Sequence, residues 1–302
     1  MSHPIPTSTS PPTPLRILLL HGFTQSPTLF HAKTRALHKH LLRLFPSPHY
    51  ALSLHYAPAP HKLPLADIPG YDYQQPPNTN NNNEEEEQEA PEAYGWWRRK
   101  DRPESEVPGG VLYEGIERGL DSIAEFIRGE GPFEGVVGFS QGAAAAGMVA
   151  SLSEGQGRRE AFERRSGEKG EGIPFPSGFL AKEGEEGAVE GFVQGPLKFA
   201  ICYSGFRAPG PLYDAFYEPK IKTPVLHVLG QMDVVVEERR ARDLVRACDG
   251  GEGRVVIHPG GHFVPSAKPW LDAVGMFIRE CVEGKEKTER DEVGVEDMEV
   301  PF

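Results

Sequence analysis

Apolar residues along this chain are arranged in two ways. Six short stretches are almost unbroken: residues 15–20 (LRILLL), 51–56 (ALSLHY), 133–139 (FEGVVGF), 197–203 (LKFAICY), 223–230 (TPVLHVLG) and 254–257 (RVVI). Runs this short and this apolar suit strands buried on both faces, as in a parallel sheet. Between them apolar residues recur at three- and four-residue spacing, which predicts amphipathic helices. Residues 28–45 turn Phe30, Leu37, Leu41, Leu44 and Phe45 inward, and residues 111–128 do the same with Leu112, Ile116, Leu120, Ile123 and Ile127. Residues 237–248 bury Ala241, Leu244, Val245 and Cys248, and residues 266–282 bury Trp270, Leu271, Val274, Phe277, Ile278 and Cys281, with Pro265 suited to the first turn. Residues 143–152 form a helix of small and apolar residues that includes four consecutive alanines. Strands alternating with helices predict an α/β fold with a mostly parallel central sheet and helices on both faces.

Four segments fall outside this pattern. Residues 1–14 are rich in Pro, Ser and Thr, residues 74–93 are low complexity (QQPPNTNNNNEEEEQEAPEA), and residues 283–302 are a charged tail. All three are expected to be disordered, since none can bury enough apolar surface to offset the entropy of ordering. Residues 153–195 are rich in Gly, Glu and Arg and read as an insertion into a single domain spanning residues 15–282. Within the insertion, residues 173–180 (IPFPSGFL) are apolar enough either to form a lid over a site or to pack onto the body.

Charge changes the picture less than its total suggests. The net charge of −12 comes from residues 74–93 (six acids, no bases), 153–195 (nine and six) and 283–302 (eight and three). The remainder is close to neutral, and nothing in it suggests nucleic-acid binding. The basic side of residues 28–45 (Lys33, Arg35, His38, Lys39, His40, Arg43) reads as a solvated face. His31, His38 and His40 lack carboxylates at ligand spacing, so no metal site is expected there. No apolar run is long enough to span a bilayer, and residues 1–14 lack the basic and apolar regions of a signal peptide. Cys202, Cys248 and Cys281 are sparse and odd in number, which suggests free thiols in a reducing compartment, the cytoplasm by default.

The candidate chemistry centres on Gly138-Phe139-Ser140-Gln141-Gly142. A strand turning sharply into a helix around a serine is a nucleophile elbow, with the serine at a helix N-terminus that favours developing negative charge. A serine hydroxyl is too weakly acidic to attack a carbonyl, so an imidazole must accept its proton and a carboxylate must orient that imidazole. Asp233 follows the strand at 223–230, and His262 lies in the glycine-rich loop after the strand at 254–257. Ser140, Asp233, His262 is the chain order of the α/β-hydrolase triad. Ser204 also follows a strand but opens no helix, and reads as pocket wall. His258, directly after its strand and before Pro259, reads as structural, and Asp243 and Asp249 lie on or after a helix, away from this edge. The loop His21-Gly22-Phe23-Thr24, after the first strand, is the expected source of a second oxyanion donor. Phe23 is the first choice and Thr24 the second, beside the N–H of Gln141, and His21 is expected to order the loop. Trp96, Trp97 and Phe206, with Phe175 and Phe179 in the insertion, are the candidate pocket walls.

Four motifs carry a family resemblance: Leu20-His21-Gly22-Phe23, Gly138-Phe139-Ser140-Gln141-Gly142, Phe199-Ala200-Ile201-Cys202-Tyr203-Ser204-Gly205-Phe206 and Gly261-His262-Phe263-Val264-Pro265. Together they resemble the serine hydrolases of the fungal FSH family, a group that includes the ovarian-cancer-associated hydrolases and lovastatin-type polyketide-releasing thioesterases. The resemblance covers roughly residues 15–72, 94–152 and 196–282. It implies a cytosolic α/β hydrolase without a cofactor, acting on carboxylic esters or acyl thioesters. It extends to release of a polyketide or fatty acyl chain in secondary metabolism, with an acyl-carrier domain as partner. Residue by residue it supports Ser140 as nucleophile, Asp233 as orienting acid and His262 as base. The chain departs from the family at Tyr56, where relatives often carry an acid, and in its long inserts. A C–C or dehalogenating hydrolase is a rival reading, although dehalogenases usually place Asp at the elbow. A catalytically silent hydrolase scaffold that binds a small ligand or partner is the non-enzyme alternative.

Overall fold

Each of the six apolar runs forms a strand, and all six lie side by side. The computed structural model of the chain describes residues 11–68, 92–168 and 172–284. In chain order its elements are β1 (Thr13–Leu20), α1 (Pro27–Leu44), β2 (Tyr50–Ala57), β3 (His61–Lys62), β4 (Tyr94–Gly95), β5 (Arg98–Asp101), β6 (Val111–Glu114), α2 (Ile116–Glu130), β7 (Gly135–Phe139), α3 (Gln141–Leu152), α4 (Gln156–Glu168), β8 (Phe199–Tyr203), β9 (Val225–Gly230), α5 (Glu238–Arg246), β10 (Val255–His258) and α6 (Lys268–Glu283). The central sheet has the order β10-β9-β8-β7-β1-β2. Every neighbouring pair in it is parallel. Because all six strands point the same way, the loops after their C-terminal ends share one edge. The strand order reverses between β1 and β7, and that crevice is where open α/β sheets place their ligands.

Alternate strand residues feed two cores. Leu15, Ile17, Leu19, Val137, Phe199, Ile201 and Val228 face α1 and α6, where they meet Phe30, Leu37, Leu41, Val274 and Phe277. Leu18, Leu20, Val136, Ala200 and Cys202 face the other way, onto α2, α3 and α5. This two-sided burial explains why the strands carry so few polar residues.

The structure departs from the sequence expectations in two places and adds detail in a third. Residues 111–114 are the strand β6, paired antiparallel with β5, and not the first turn of a helix. Gly115, at φ 80, separates them from α2. Helix α6 begins at Lys268, so the proline in its first turn is Pro269, and Pro265 lies in the preceding loop. The insertion contains the helix α4, whose Phe162 meets Phe175 and Phe216 edge-on at 5.4 and 4.8 Å.

Residues 173–180 pack onto the body. The Gly178 N–H donates to Asp121 at 3.1 Å, and Arg128 donates to the Gly178 and Leu180 carbonyls at 2.7 and 2.9 Å. Arg128 lies where α2 runs towards the start of β7, so this anchor sits by the edge opposite the strand ends. A lid is not what this stretch forms. Of the expected disorder, residues 1–10, 74–91 and 285–302 lie outside the described residues, while Thr13, Pro14 and Glu283 belong to regular elements. Among the described residues no helix is long and apolar enough to cross a membrane.

Candidate active site

At the end of β7 the chain turns into α3 through Ser140, whose backbone sits at φ 54, ψ −117, a region rarely used by residues other than glycine. Two close approaches enforce the turn. A Cβ at Gly138 would lie 2.1 Å from the Gly142 carbonyl oxygen, and one at Gly142 would lie 2.1 Å from that of Leu20. The Ser140 N–H is held by the Tyr203 carbonyl at 2.8 Å. All twelve residues of α3 are buried, so only small and apolar side chains fit there.

Ser140 Oγ lies 2.9 Å from His262 Nε2. His262 Nδ1 lies 2.8 Å from Asp233 Oδ2. A carboxylate can only accept, so Nδ1 carries the proton and Nε2 is left as acceptor for the serine hydroxyl. The loops bearing the acid and the imidazole are tied together: the Gln231 N–H donates to the His258 carbonyl at 2.8 Å and the Met232 N–H to the Gly260 carbonyl at 3.0 Å. The His262 ring also packs on Phe139, with ring centres 4.9 Å apart. Asp233 Oδ1 accepts from the Val235 and Val236 N–H groups, each at 2.9 Å. Burial pushes the Asp233 carboxyl up, but the Val236 N–H, His262 and the nearby Ser204 hydroxyl outweigh it, leaving the group below the ordinary aspartate value.

The loop after β1 approaches the elbow from the far side of the switch point. The Thr24 N–H is committed to the Tyr94 carbonyl at 2.9 Å. The N–H groups of Phe23 and Gln141 have no acceptor among the described residues, so both are free to hold an oxyanion. His21 orders the loop. Its Nδ1–H donates to the Gly22 carbonyl at 2.8 Å and its Nε2 accepts from the Ala59 N–H at 3.3 Å. Burial lowers its pKa to about 4, which keeps the ring neutral. Ser26 ends the loop by capping α1, its Oγ accepting from the Leu29 N–H at 3.3 Å.

The expected pocket walls are not open walls. Trp96 and Trp97 are 0% and 1% exposed. The Trp96 indole N–H donates to the His21 carbonyl at 2.9 Å, and Trp97 stacks on Tyr113 at 5.0 Å. Both therefore support the loop after β1 and the core, and neither presents an open face. Phe206 is buried too, beneath the Arg240 guanidinium at 4.3 Å. Phe179 is buried in the packed insertion, and Phe175 is partly buried against the same core. Two of the rival residues are engaged elsewhere: Asp243 pairs with Arg246 at 2.8 Å, and buried His258 accepts from the Gly260 N–H at 3.2 Å.

Sequence reasoning missed the Gln141 side chain. Its Oε1 accepts from the Trp96 N–H at 2.8 Å and its Nε2 donates to the Trp97 carbonyl at 2.9 Å. A polar side chain on a wholly buried helix was the available signal. Among the described residues no group of three His, Cys, Asp or Glu side chains could hold a metal ion.

The chain is similar in sequence to known serine hydrolases. The family model described as serine hydrolase (FSH1) matches residues 9–274. A Danio rerio protein named Esterase OVCA2 is 32% identical over 272 residues, covering 88% of this chain and 97% of its own length. A Saccharomyces cerevisiae protein named Family of serine hydrolases 3 is 29% identical over 288 residues, covering 95% and 92% respectively. Among solved structures, the Zea mays acyl-protein thioesterase 2 aligns with a TM-score of 0.46 at 17% identity, covering 91% of this chain and 96% of that one.

Proposed function

The chain belongs to the serine hydrolase (FSH1) family, and on that premise we propose that it cleaves carboxylic esters and acyl thioesters through a Ser140–His262–Asp233 triad. The observation that carries this reading is the relay of 2.9 and 2.8 Å from Ser140 through His262 to Asp233. Esters as substrates are supported by the relative named as an esterase, which matches 88% of the chain.

As Ser140 Oγ bonds to the acyl carbon, His262 Nε2 takes the hydroxyl proton and Asp233 stabilises the resulting imidazolium. The carbonyl oxygen becomes an oxyanion held by the N–H groups of Phe23 and Gln141, aided by the α3 N-terminus. Collapse breaks the bond to the leaving group, which takes the proton from His262 when it departs as an alcohol or thiol. Water then attacks the acyl-serine while giving its proton to His262, and that proton returns to Ser140 as the carboxylic acid is released. No step needs a cofactor. A fatty acyl or polyketide chain delivered on an acyl-carrier domain falls within the same chemistry. The free cysteines, Cys202 and Cys248 buried and Cys281 half-buried, suit a reducing compartment such as the cytoplasm.

The test is a fluorophosphonate probe and a chromogenic acyl ester applied to the wild type and to Ser140→Ala. Wild type should label and turn over, and the variant should do neither. Activity in Ser140→Ala within about tenfold of wild type removes Ser140 as nucleophile. A wild type that neither labels nor turns over favours the silent-scaffold reading.

A further inference from the structure

The Asp233 carboxylate has one hydrogen-bonding position left open. An ionised carboxylate offers about four lone-pair directions. Oδ1 accepts from the Val235 and Val236 N–H groups, and Oδ2 accepts from His262. One direction on Oδ2 has no occupant among the described residues.

Ser204 lines the same cavity as Asp233. The residue is 2% exposed, and its Oγ has no partner of good geometry among the described residues. The cavity is about 110 Å³, and its wall also includes Leu229, Val236 and Ala241. An orphaned buried hydroxyl is unusual and calls for an explanation. The backbone adds a second anomaly: Ser204 has φ 48, in the left-handed region, with its N–H held by the Val228 carbonyl at 2.9 Å. Strain of this kind gathers at functional sites, and Ser140, at the end of the neighbouring strand, shares it. Glycine would suit this backbone better; what serine adds is the hydroxyl.

We propose that Ser204 is a positioning residue whose hydroxyl donates to Asp233 Oδ2 during turnover, holding the carboxylate, and through it the His262 ring, in line with Ser140. The inference rests on the triad assigned above. Catalytic hydrogen bonds are often loose without substrate and tighten during reaction, which accounts for the poor resting geometry. Even without a well-formed hydrogen bond, the Ser204 hydroxyl is near enough to the Asp233 carboxyl to be a minor cause, after the Val236 N–H and His262, of its lowering. The other titratable groups facing Asp233 are His262, His258 at the end of β10, and Glu238 and Arg242 of α5 on the cavity wall. None of them changes in the variants below.

Ser204→Ala removes the hydroxyl and keeps the strain, whereas Ser204→Gly removes both. Each should lower kcat by roughly 10- to 100-fold, the weight of one hydrogen bond to a charged group, with KM changed by less than about threefold. The acid limb of kcat/KM should move up by about half a pH unit, because a carboxylate without this donor holds the imidazolium more strongly and is itself more readily protonated. Ser204→Gly should have a higher Tm than Ser204→Ala and be no more active. Recovery of kcat in Ser204→Gly with an unmoved acid limb would show a purely structural role and overturn the proposal. So would two variants within about twofold of wild-type kcat with unmoved limbs. Probe labelling separates this failure from that of the triad: if wild-type Ser140 does not label, the triad falls, whereas labelling with unaffected Ser204 variants removes Ser204 alone.

Discussion

Gln141 Oε1 accepts the backbone N–H of Trp96 at 2.8 Å, so the residue after the elbow serine grips the segment beneath the loop that follows β1. Its Nε2 completes the grip on the Trp97 carbonyl. Gln141→Ala leaves both backbone groups buried without partners while keeping the helix N-terminal N–H that the proposed oxyanion hole uses. The expected cost is about 1–3 kcal/mol for each group left unpaired, seen as a lower midpoint in chemical denaturation. Because the loop carrying Phe23 loosens with it, kcat should fall while probe labelling of Ser140 persists. Unchanged stability would show that the clamp is idle.

The carboxylate assignment can be tested at three positions at once. Asp233→Asn should lower kcat by roughly 10³ to 10⁴, because the amide can present its N–H to His262 and favour the wrong tautomer. Asp243→Asn and Asp249→Asn should stay near wild type, since Asp243 is engaged with Arg246 and Asp249 follows α5. A large loss at either of these positions, with Asp233→Asn active, assigns the acid to the wrong residue.

Much of the fold and the approach of Ser140, Asp233 and His262 was legible because the physics behind them is local. Two-sided burial leaves an unbroken apolar record in Val136-Val137 and Phe199-Ala200-Ile201. The elbow is marked by glycines that tolerate no Cβ. What was not legible depends on long-range packing. Leu112 and Ile116 fit a helical spacing, yet the alternating burial of Val111 and Tyr113 belongs to a strand. Two short-period patterns overlapped across Gly115, and the wrong one looked longer. Trp96 and Trp97 looked like cleft aromatics because composition alone does not say whether a ring meets solvent or its neighbours. Here Tyr113 and the His21 carbonyl claim them.

A buried imidazole in β9 should make stability depend on pH. His227 is 1% exposed, its Nε2 has no partner among the described residues, and burial lowers its pKa to about 4. In the unfolded chain the ring takes a proton near pH 6.5, whereas the folded state refuses it until about pH 4. The folded state is therefore not penalised by this residue above pH 6.5 and loses stability as the pH falls from 6.5 towards 4. His227→Leu removes that term. The gap between variant and wild type in unfolding free energy should widen in the variant's favour by about 2 kcal/mol between pH 7.5 and pH 5. His21, pushed down in the same way, keeps part of the slope in both proteins. Parallel stability curves would mean that His227 is hydrated or protonated in the folded state.

The leaving group gives the sharpest test of substrate class. When the tetrahedral intermediate collapses, the serine and the original leaving group compete to depart, and the weaker base wins. A thiolate departs with little help and an alkoxide needs some, but an amine departs only once protonated. That proton can come only from His262 Nε2, which in the resting structure points at Ser140 Oγ, 2.9 Å away. The ring has little freedom to swing towards a distant nitrogen, because Asp233 fixes Nδ1 and Phe139 packs against it. An amidase must also clamp its substrate so that the nitrogen meets the imidazole, and the aromatic residues expected to grip a substrate here, Trp96, Trp97 and Phe206, are buried in the core. With one medium-length acyl chain presented as thioester, aryl ester and anilide, kcat/KM for the first two should exceed that for the third by at least about 10³, or roughly 4 kcal/mol of transition-state free energy. Ser140→Ala serves as the blank for each substrate. Comparable rates on the anilide would overturn the esterase and thioesterase reading and point to an amidase.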